Sequence, residues 1–406
     1  MQIAISDMFK TIISLIPMFV CAFWCIILLL EYKRHNKSKI FLSFFMFVAF
    51  LLYLGHAAYF NKEYRFYCFW ESIYIFCSLS VYPIYFIYIK LISRKTYLEV
   101  KDMWILLPAF LMSVFSFILY FKMSPLEARV YSEHILYRPL RFDSSELTPV
   151  LSMQLVKQRL FVILFFVQVI PIIYFGRKYI VEYNNKIYDY YSNTEGKTLQ
   201  HFKRLIYIFV TTSIASIIAN FLGKSFFLDS IWILLIPALL FGCMLFIIGY
   251  LGYKQEFTLD TFLTEQSAYE DKLSQRAGKE LNNDYYNEKI KHRLLNQLHK
   301  LLEKESIYKK DDLRITDVSK KLNTNRTYIS KVVNEELKTN FSDLINKYRI
   351  EHAKKLLTDV DSQSIGLSQI GELSGFKSDS SFYRIFKEKE GISPGDFRKN
   401  FKRKFQ

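Results

Sequence analysis

The pattern of apolar and polar residues divides this chain of 406 residues into two parts that meet near residue 253. In the first part, long apolar runs alternate with short polar stretches, and each run ends at charged residues. A helix needs about 20 consecutive apolar residues to cross the hydrocarbon core of a bilayer. These runs therefore predict seven membrane-spanning helices, at Ile12–Leu30, Ile40–Phe60, Ser72–Ile89, Met103–Phe121, Leu160–Gly176, Leu205–Gly223 and Ser230–Tyr253.

The alternative for these runs is a set of buried core helices in a large soluble protein. Helices of that length in soluble proteins keep a polar face, and these runs do not show one. The first run, within residues 1–30, is too long for the apolar part of a cleavable signal peptide, and no small-residue cleavage site follows it. We therefore expect it to be the first membrane anchor.

Basic residues predict how the seven helices are oriented. Lys and Arg are concentrated in the stretches 31–39, 94–101 and 177–204, which follow the first, third and fifth runs. The loops after the second, fourth and sixth runs hold fewer basic residues or offset them with acidic ones. Because basic loops remain on the cytoplasmic side of a membrane, we expect the N-terminus outside and the C-terminal part in the cytoplasm.

The loop between the fourth and fifth runs, Lys122–Arg159, is the longest on the predicted outer side. It is either a sensing or partner-binding surface or a simple connection. The residues that would serve such a surface are Tyr131, His134, Tyr137, Arg138 and Arg141.

Polar residues within the apolar runs or at their ends are His56, Glu71, Asn220 and Asp229. Ionisable groups inside a membrane are costly and often functional. Glu71 and Asp229 fall near predicted helix ends, where the headgroup region would hydrate them. We therefore expect structural rather than functional roles for these two residues.

Residues 254–289 are polar, lack proline and mix both signs of charge. A thin apolar stripe runs through their first half, from Phe257 to Leu273. This composition predicts a solvated or partly helical linker, and a short dimerising coil is the alternative.

From residue 290 onward, apolar residues recur at the spacing of short amphipathic helices. The pattern predicts helices at Ile290–Leu302, Ile315–Leu322, Arg326–Leu337, Phe341–Leu357, Ile365–Leu373 and Asp379–Glu390, and the start of another at Pro394.

Tight turns join two pairs of these helices, which predicts two helix-turn-helix units. In the first unit, residues 323–325 form the turn, and Asn325 caps the next helix by accepting a bond from a backbone N–H. In the second unit, Gly375 turns the chain and Ser378 or Asp379 caps the next helix. Two such units joined by one rigid helix can place their second helices in successive major grooves of DNA, about 34 Å apart.

Charge agrees with a nucleic-acid partner for this part of the chain. Residues 281–406 hold 26 Lys and Arg against 18 Asp and Glu, a net charge of +8. An excess of basic residues favours a polyanionic partner.

Residues from about 290 to 402 resemble the DNA-binding domain of the AraC/XylS family of transcriptional regulators. In the first half, the resemblance is carried by residues 315–319, residues 331–334, Phe341 and the motif from Arg349 to Leu357. Asn323 stands where the family commonly has glycine, and asparagine also tolerates the left-handed backbone. In the second half, the motif is Gly375, Phe376, Phe382, Arg384, Phe386, Lys387, Gly391, Pro394, Phe397 and Arg398.

The resemblance implies which residues contact DNA. Lys387 and the basic tail from Arg398 would mainly neutralise phosphates. The family usually carries a soluble sensor fold, and the front end of this chain instead resembles its membrane-anchored seven-helix variants in architecture. The implied base-contacting residues are Arg326, Thr327, Ser330 and Lys331 in the first recognition helix and Asp379, Ser380, Ser381 and Arg384 in the second.

The expected fold class is all-α. A seven-transmembrane-helix bundle (1–253) precedes a cytoplasmic linker (254–289) and a helical, bipartite helix-turn-helix DNA-binding domain (290–406). The expected function is that of a sequence-specific transcription regulator in the bacterial inner membrane that senses a signal through its membrane helices. A transporter or membrane enzyme with an appended DNA-binding regulatory domain is the alternative.

The expected partners are double-stranded DNA, the lipid bilayer, a second copy of the chain and a signal ligand of unknown chemistry. No enzymatic activity, cofactor or metal is expected, because no acidic pair or His-rich metal box is present. The five cysteines lie in apolar runs without metal-ligand spacing.

Overall fold

The computed structural model describes residues 2–31, 37–94, 97–136, 148–199, 230–274, 288–359 and 364–404, together with isolated positions between 207 and 227. Within these residues the chain is helical apart from turns and one isolated bridge, which confirms the all-α prediction. The chain forms two compact units. The first comprises Met1–Val181 and Leu199–Asp260, and the second comprises Glu182–Thr198 and Thr261–Gln406.

The first unit is built from long helices. Helix α1 packs against α2 and α7, α2 packs against α3, and α3 packs against α4. A 3-10 turn, Val100–Leu106, leads into α4, and a π turn, Tyr131–Leu136, follows α5. The helices are α1 (Gln2–Leu30), α2 (Lys37–Phe60), α3 (Tyr64–Ser93), α4 (Leu107–Lys122), α5 (Pro125–Val130), α6 (Pro149–Tyr190) and α7 (Ile231–Lys254), and the end of α6 from Glu182 onward belongs to the second unit.

Six helical segments in the described part of the chain are long and apolar enough to cross a membrane. They include α1, α2, α3, α6, α7 and the continuous stretch Val100–Lys122 that contains α4. They correspond to six of the seven predicted runs. The remaining run, Leu205–Gly223, lies mostly outside the described residues, as do Asn220 and Asp229, so the count of seven stays a prediction.

Helix α6 extends well beyond the predicted fifth run, Leu160–Gly176, and covers 42 residues. After Gly176 the buried side chains still recur at helical spacing, at Ile180, Tyr183, Ile187 and Tyr190. Most of the other positions hold polar or charged residues, so the apolar run ends although the helix continues. The predicted ends of this helix were therefore wrong.

The predicted outer loop, Lys122–Arg159, is largely structured in its described part. It contains α5, the π turn and the first turns of α6. The Tyr131 side chain is 0% exposed, so it does not belong to a sensing surface. Tyr137, Arg138, Arg141 and the side chain of His134 lie outside what the structure describes.

A buried polar cluster joins α3, α4 and α6. The Glu71 carboxylate on α3 lies 3.0 Å from Lys157 Nζ on α6, and Glu71 is only 5% exposed. Tyr131 OH donates to the same carboxylate at 3.2 Å, and Tyr120 OH of α4 also donates to it. The expectation that water reaches Glu71 was wrong, because a buried lysine and two hydroxyl groups surround its charge.

The second unit consists of shorter helices and confirms the predicted order of elements from residue 290 onward. The linker stretch is partly helical, with Phe262 of α8 buried. Its helices are α8 (Leu259–Ser274), α9 (Glu288–Glu303), α10 (Ile315–Lys321), α11 (Arg326–Lys331), α12 (Phe341–Thr358), α13 (Leu367–Leu373), α14 (Asp379–Glu390) and α15 (Pro394–Lys404).

Helix α12 is the central element of the second unit. An apolar cluster joins it to α13 and α14 through Ile350, Leu357, Ile370, Phe382 and Phe386. Phe382 and Phe386 lie four residues apart on α14 and form an edge-to-face pair with ring centroids 5.7 Å apart. The second helix-turn-helix is thereby fixed to α12 by its aromatic face.

We predict that Lys157→Met destabilises the first unit by about 3–5 kcal/mol, because it leaves the Glu71 carboxylate buried without a cation. A thermal unfolding scan of the full chain in detergent will then show a lower midpoint. Lys157→Met combined with Glu71→Leu removes both charges and should recover most of the loss. Equal midpoints for the single and double variants would contradict this account.

We also predict that Gly375→Ala lowers the free energy of unfolding of the second unit by about 3 kcal/mol. Gly375 has a φ of +90°, and an added Cβ would lie 2.6 Å from the backbone oxygen of Tyr308. Gly366→Ala is the matched control, because its Cβ meets nothing within 4 Å. Amide hydrogen exchange in α13 and α14 measures the difference, and equal exchange in both variants would refute it.

Candidate nucleic-acid interface

The first helix-turn-helix is formed by α10, a turn and α11. Asn323 in the turn has a φ of +46°, so asparagine takes the left-handed backbone at this position. The Asn325 side chain accepts a hydrogen bond from Thr327 N at 3.0 Å, which confirms the predicted cap of α11. Tyr328 and Ile329 of α11 are buried and orient this helix on the unit.

Helix α11 is shorter than its prediction, Arg326–Leu337. Its α-helical hydrogen bonding ends at Lys331, and a wider π turn, Val332–Glu336, follows. Val332 and Val333 are buried in the π turn, as they would be in a longer α-helix. The spacing of apolar residues therefore does not distinguish an α-helix from a π turn at this position.

The polar face of α11 carries the four residues that the sequence predicted to contact DNA. Thr327 and Lys331 are exposed, whereas Arg326 and Ser330 are partly buried. Asn334 Nδ2 in the π turn lies 3.3 Å from Ser330 Oγ and donates to it. Because residues 326, 327, 330 and 331 follow helical spacing, their side chains share one face of α11 from its first residue to its last.

The second helix-turn-helix is formed by α13, the turn at Gly375 and α14. Phe376 N donates to the backbone oxygen of Gly371 at 3.0 Å, which closes the turn. Ser378 Oγ accepts from Ser381 N at 3.2 Å, so Ser378 rather than Asp379 caps α14. Gly391, with a φ of +78°, ends the helix in the left-handed conformation.

The residues predicted to contact DNA on α14 are not equally accessible. Asp379, Ser380, Arg384 and Lys387 are exposed. Ser381 is only 4% exposed, and its Oγ donates to the backbone oxygen of Ser378 at 2.8 Å. The structure thus turns Ser381 into the capping turn and away from solvent, in contrast to the sequence prediction.

The remaining polar groups near the start of α14 are also engaged. The Asp379 carboxylate accepts from Ser368 Oγ of α13 at 2.7 Å. Arg384 Nη1 lies 3.7 Å from Glu388 Oε2 one turn later on the exposed side of α14. An exposed ion pair of this kind is weak, so the Arg384 guanidinium is available to other anions.

A buried arginine connects α12, the helix between the two helix-turn-helix elements, to the loop before α10. Arg349 of α12 is 1% exposed, and its Nε donates to Tyr308 O at 2.8 Å. Its Nη2 donates to Lys310 O at 2.7 Å and to Asp311 O at 3.3 Å. Burial lowers the pKa of Arg349 to about 10, so the guanidinium remains charged at neutral pH.

The sequence did not predict that residues 182–198 belong to the same compact unit as the helix-turn-helix elements. Ser192 N donates to Leu313 O at 3.0 Å, and Tyr191 forms an antiparallel bridge with Arg314. Arg349 Nη2 also donates to Ser192 Oγ at 3.1 Å. The only sequence signal for this segment was the helical spacing of buried residues after Gly176.

Comparison with known proteins supports the sequence interpretation of the C-terminal part. Residues 318–400 match a family described as a helix-turn-helix domain. The HTH-type transcriptional regulator YtdP of Bacillus subtilis is 27% identical over 150 residues, which is 36% of this chain and 18% of that protein. No solved structure is significantly similar to this chain.

Two operon regulators match a shorter region. The Msm operon regulatory protein of Streptococcus mutans is 30% identical over 87 residues, 21% of this chain and 30% of that protein. The melibiose operon regulatory protein of Escherichia coli is 31% identical over 87 residues, 21% of this chain and 28% of that protein.

The chain therefore spans less than a third of the length of these relatives. Their names describe regulators rather than enzymes, in agreement with the sequence prediction. Taken with the two helix-turn-helix units described above, the matches identify the C-terminal part of this chain as an AraC-type helix-turn-helix domain.

Proposed function

We propose that the whole chain is a membrane-embedded, sequence-specific DNA-binding transcription regulator of the bacterial inner membrane. The observation that carries this proposal is that one chain holds an AraC-type helix-turn-helix domain and, among the residues that the structure describes, six long apolar helices. The N-terminus lies outside and the DNA-binding part lies in the cytoplasm, where DNA is found. The distribution of Lys and Arg among the loops supports this orientation.

The surface of the first unit supports a lipid environment. Large apolar side chains point outward, with Phe121 83% and Trp232 72% exposed. Charged Glu71 and Lys157 are buried instead and bond to each other. An apolar exterior of this extent is unfavourable in water and favourable against lipid chains.

In the proposed DNA complex, α11 and α14 each enter a major groove by their N-terminal turns. Arg384 pairs with guanine N7 and O6, and Ser380 and Thr327 contact bases more permissively. Lys387 and the basic tail from Arg398 neutralise phosphates. The other base-contacting side chains in this proposal are Arg326, Ser330, Lys331 and Asp379.

The first unit is proposed to detect a signal at the outer face or within the bilayer and to bias the DNA-binding part between two states. A second copy of the chain would raise the effective affinity through paired half-sites. Two rival functions remain distinct from this one. One is a transporter or membrane enzyme with an appended regulatory domain, and the other is a bundle that only confines the regulator to the membrane.

Substitution of two basic residues on α14 separates base recognition from phosphate neutralisation. We predict that Arg384→Ala weakens binding to a specific site by about 1–3 kcal/mol and relaxes sequence preference at one base pair. Lys387→Ala should instead weaken binding to all sequences similarly. It should also reduce the slope of the logarithm of the binding constant against the logarithm of salt concentration by about 1.

Binding of the full chain to a randomised duplex library at several salt concentrations measures both effects. The sites are first defined by genome-wide mapping of DNA bound by the full chain. The proposed groove geometry would be wrong if Arg384→Ala left sequence preference unchanged.

Replacement of the whole first unit, with an unrelated single-span anchor for Met1–Val181 and an unrelated two-span hairpin for Leu199–Asp260, tests the sensing role. This chimera keeps Glu182–Thr198 and therefore the whole second unit. We predict that it still occupies the mapped sites in cells but no longer changes target transcription between growth conditions. Regulation that survives the replacement would support the purely confining role.

A further inference from the structure

The start of the second recognition helix is occupied by an anion from this chain. Ser378 Oγ donates to Glu195 Oε2 at 2.5 Å, and Ser380 Oγ donates to Glu195 Oε1 at 2.6 Å. Ser378 caps α14, and Ser380 is one of its proposed base-contacting residues. All three residues belong to the second unit. The Glu195 carboxylate therefore lies at the first turn of α14, where unpaired backbone N–H groups attract anions.

The groups around this carboxylate are those that bind a phosphate. Helix N-termini, hydroxyl donors and guanidinium groups all contact phosphate oxygens in protein–DNA complexes. Hydrogen bonds from Ser378 and Ser380, together with the positive charges of Arg384 and Lys377, lower the pKa of Glu195. Glu195 therefore carries at neutral pH the negative charge that a DNA phosphate would bring.

The segment that carries Glu195, residues 191–198, is here called the cap segment. Its first residues are buried and anchored to the second unit. Ser192 accepts a hydrogen bond from Arg349 through Oγ at 3.1 Å and one from Ser342 Oγ through its backbone oxygen at 3.2 Å. On the other side of Glu195, Lys197 Nζ lies 3.4 Å from Asp312 Oδ1.

Glu195 lies at the exposed tip between these two anchors. It is followed by Gly196, whose φ of +71° makes the turn. The Glu195 backbone N–H is bonded to Asn193 Oδ1 at 3.1 Å, so the tip is shaped within the cap segment itself. The side chain of Glu195 can consequently leave α14 while the anchors at Ser192 and Lys197 stay in place.

The first helix-turn-helix meets the residues just before the cap segment. Asn334 donates a hydrogen bond to the Asp189 carboxylate at the end of α6. The same Asn334 donates to Ser330, a proposed base-contacting residue of α11. Residues 189–195 thus contact both helix-turn-helix units at or beside their recognition helices.

We propose that the cap segment is an intramolecular competitor of DNA. DNA binds α14 fully only after a backbone phosphate displaces the Glu195 carboxylate from Ser378 and the start of the helix, which also frees the Ser380 hydroxyl for its proposed base contact. Two anions cannot occupy the Ser378 hydroxyl and the start of one helix at the same time. The closed arrangement therefore lowers DNA affinity. This inference rests on the proposed DNA-binding function.

The position of the cap segment in the chain links this competition to the first unit. It follows directly on α6, whose residues up to Val181 belong to the first unit. Any rearrangement of α6 is passed to the cap segment through the continuous backbone. A signal could in this way change how readily Glu195 leaves α14.

The test measures binding of full-length protein in lipid nanodiscs to a random-sequence duplex long enough for two major-groove contacts. Glu195→Gln removes the charge, and Glu195→Ala removes both acceptor oxygens. Each variant should bind about tenfold more tightly than the wild type. Glu303→Gln, which removes an equal charge from an exposed position on α9, should change binding less than about twofold.

The outcomes separate this inference from the proposed function. If the Glu195 variants bind no more tightly than Glu303→Gln while all proteins bind the duplex, the competition is overturned and DNA binding stands. If none of the proteins binds the duplex, the proposed function fails and the inference fails with it.

A double variant, Glu195→Cys with Ser380→Cys, tests the contact directly. We expect a disulfide to form under mild oxidation in the free protein and to be suppressed by saturating duplex. Absence of the cross-link in the free protein would count against the contact. A cross-link that forms equally fast with and without saturating duplex would overturn the displacement.

Discussion

The buried guanidinium of Arg349 is the interaction on which the second unit depends. A charge that is removed from water must be surrounded by acceptors, and here these are the backbone oxygens of Tyr308, Lys310 and Asp311 together with Ser192 Oγ. These acceptors come from the loop before α10 and from the cap segment, so α12 orders both at once. A fragment that begins after residue 260 lacks Ser192, so Arg349 Nη2 would lose its hydrogen bond to the Ser192 hydroxyl.

The two units differ in which side chains they bury and which they expose. In the first unit, apolar side chains cover much of the surface, and the Glu71–Lys157 pair is enclosed together with two tyrosine hydroxyls. In the second unit, Phe382 and Phe386 are enclosed, and basic side chains such as Arg384 are exposed. This contrast corresponds to the proposed surroundings of each unit, lipid for one and water with DNA for the other.

The start of α14 shows how one surface can serve both recognition and its control. Capping by Ser378, the exposed Ser380 hydroxyl and the helix dipole all favour an anion at this position. The chain supplies such an anion through Glu195, and DNA would supply another. Because both ligands use the same donors, regulation by competition requires no large rearrangement of the helix-turn-helix itself.

The sequence alone determined six of the long apolar helices, the order of the short ones and the cap at Asn325, and it narrowed the cap of α14 to Ser378 or Asp379, because these depend on local spacing and local hydrogen bonds. Only the tertiary structure decided that α6 continues to Tyr190, that Ser381 is buried, that Lys157 meets Glu71 and that Glu195 meets Ser378 and Ser380. The contacts of Lys157 with Glu71 and of Glu195 with Ser378 and Ser380 join residues that are distant in the chain. The burial of Ser381 depends on how α14 is rotated about its axis. Hydrophobic periodicity specifies a helix and its apolar face, whereas the partner of a charged side chain is set by which helices pack together.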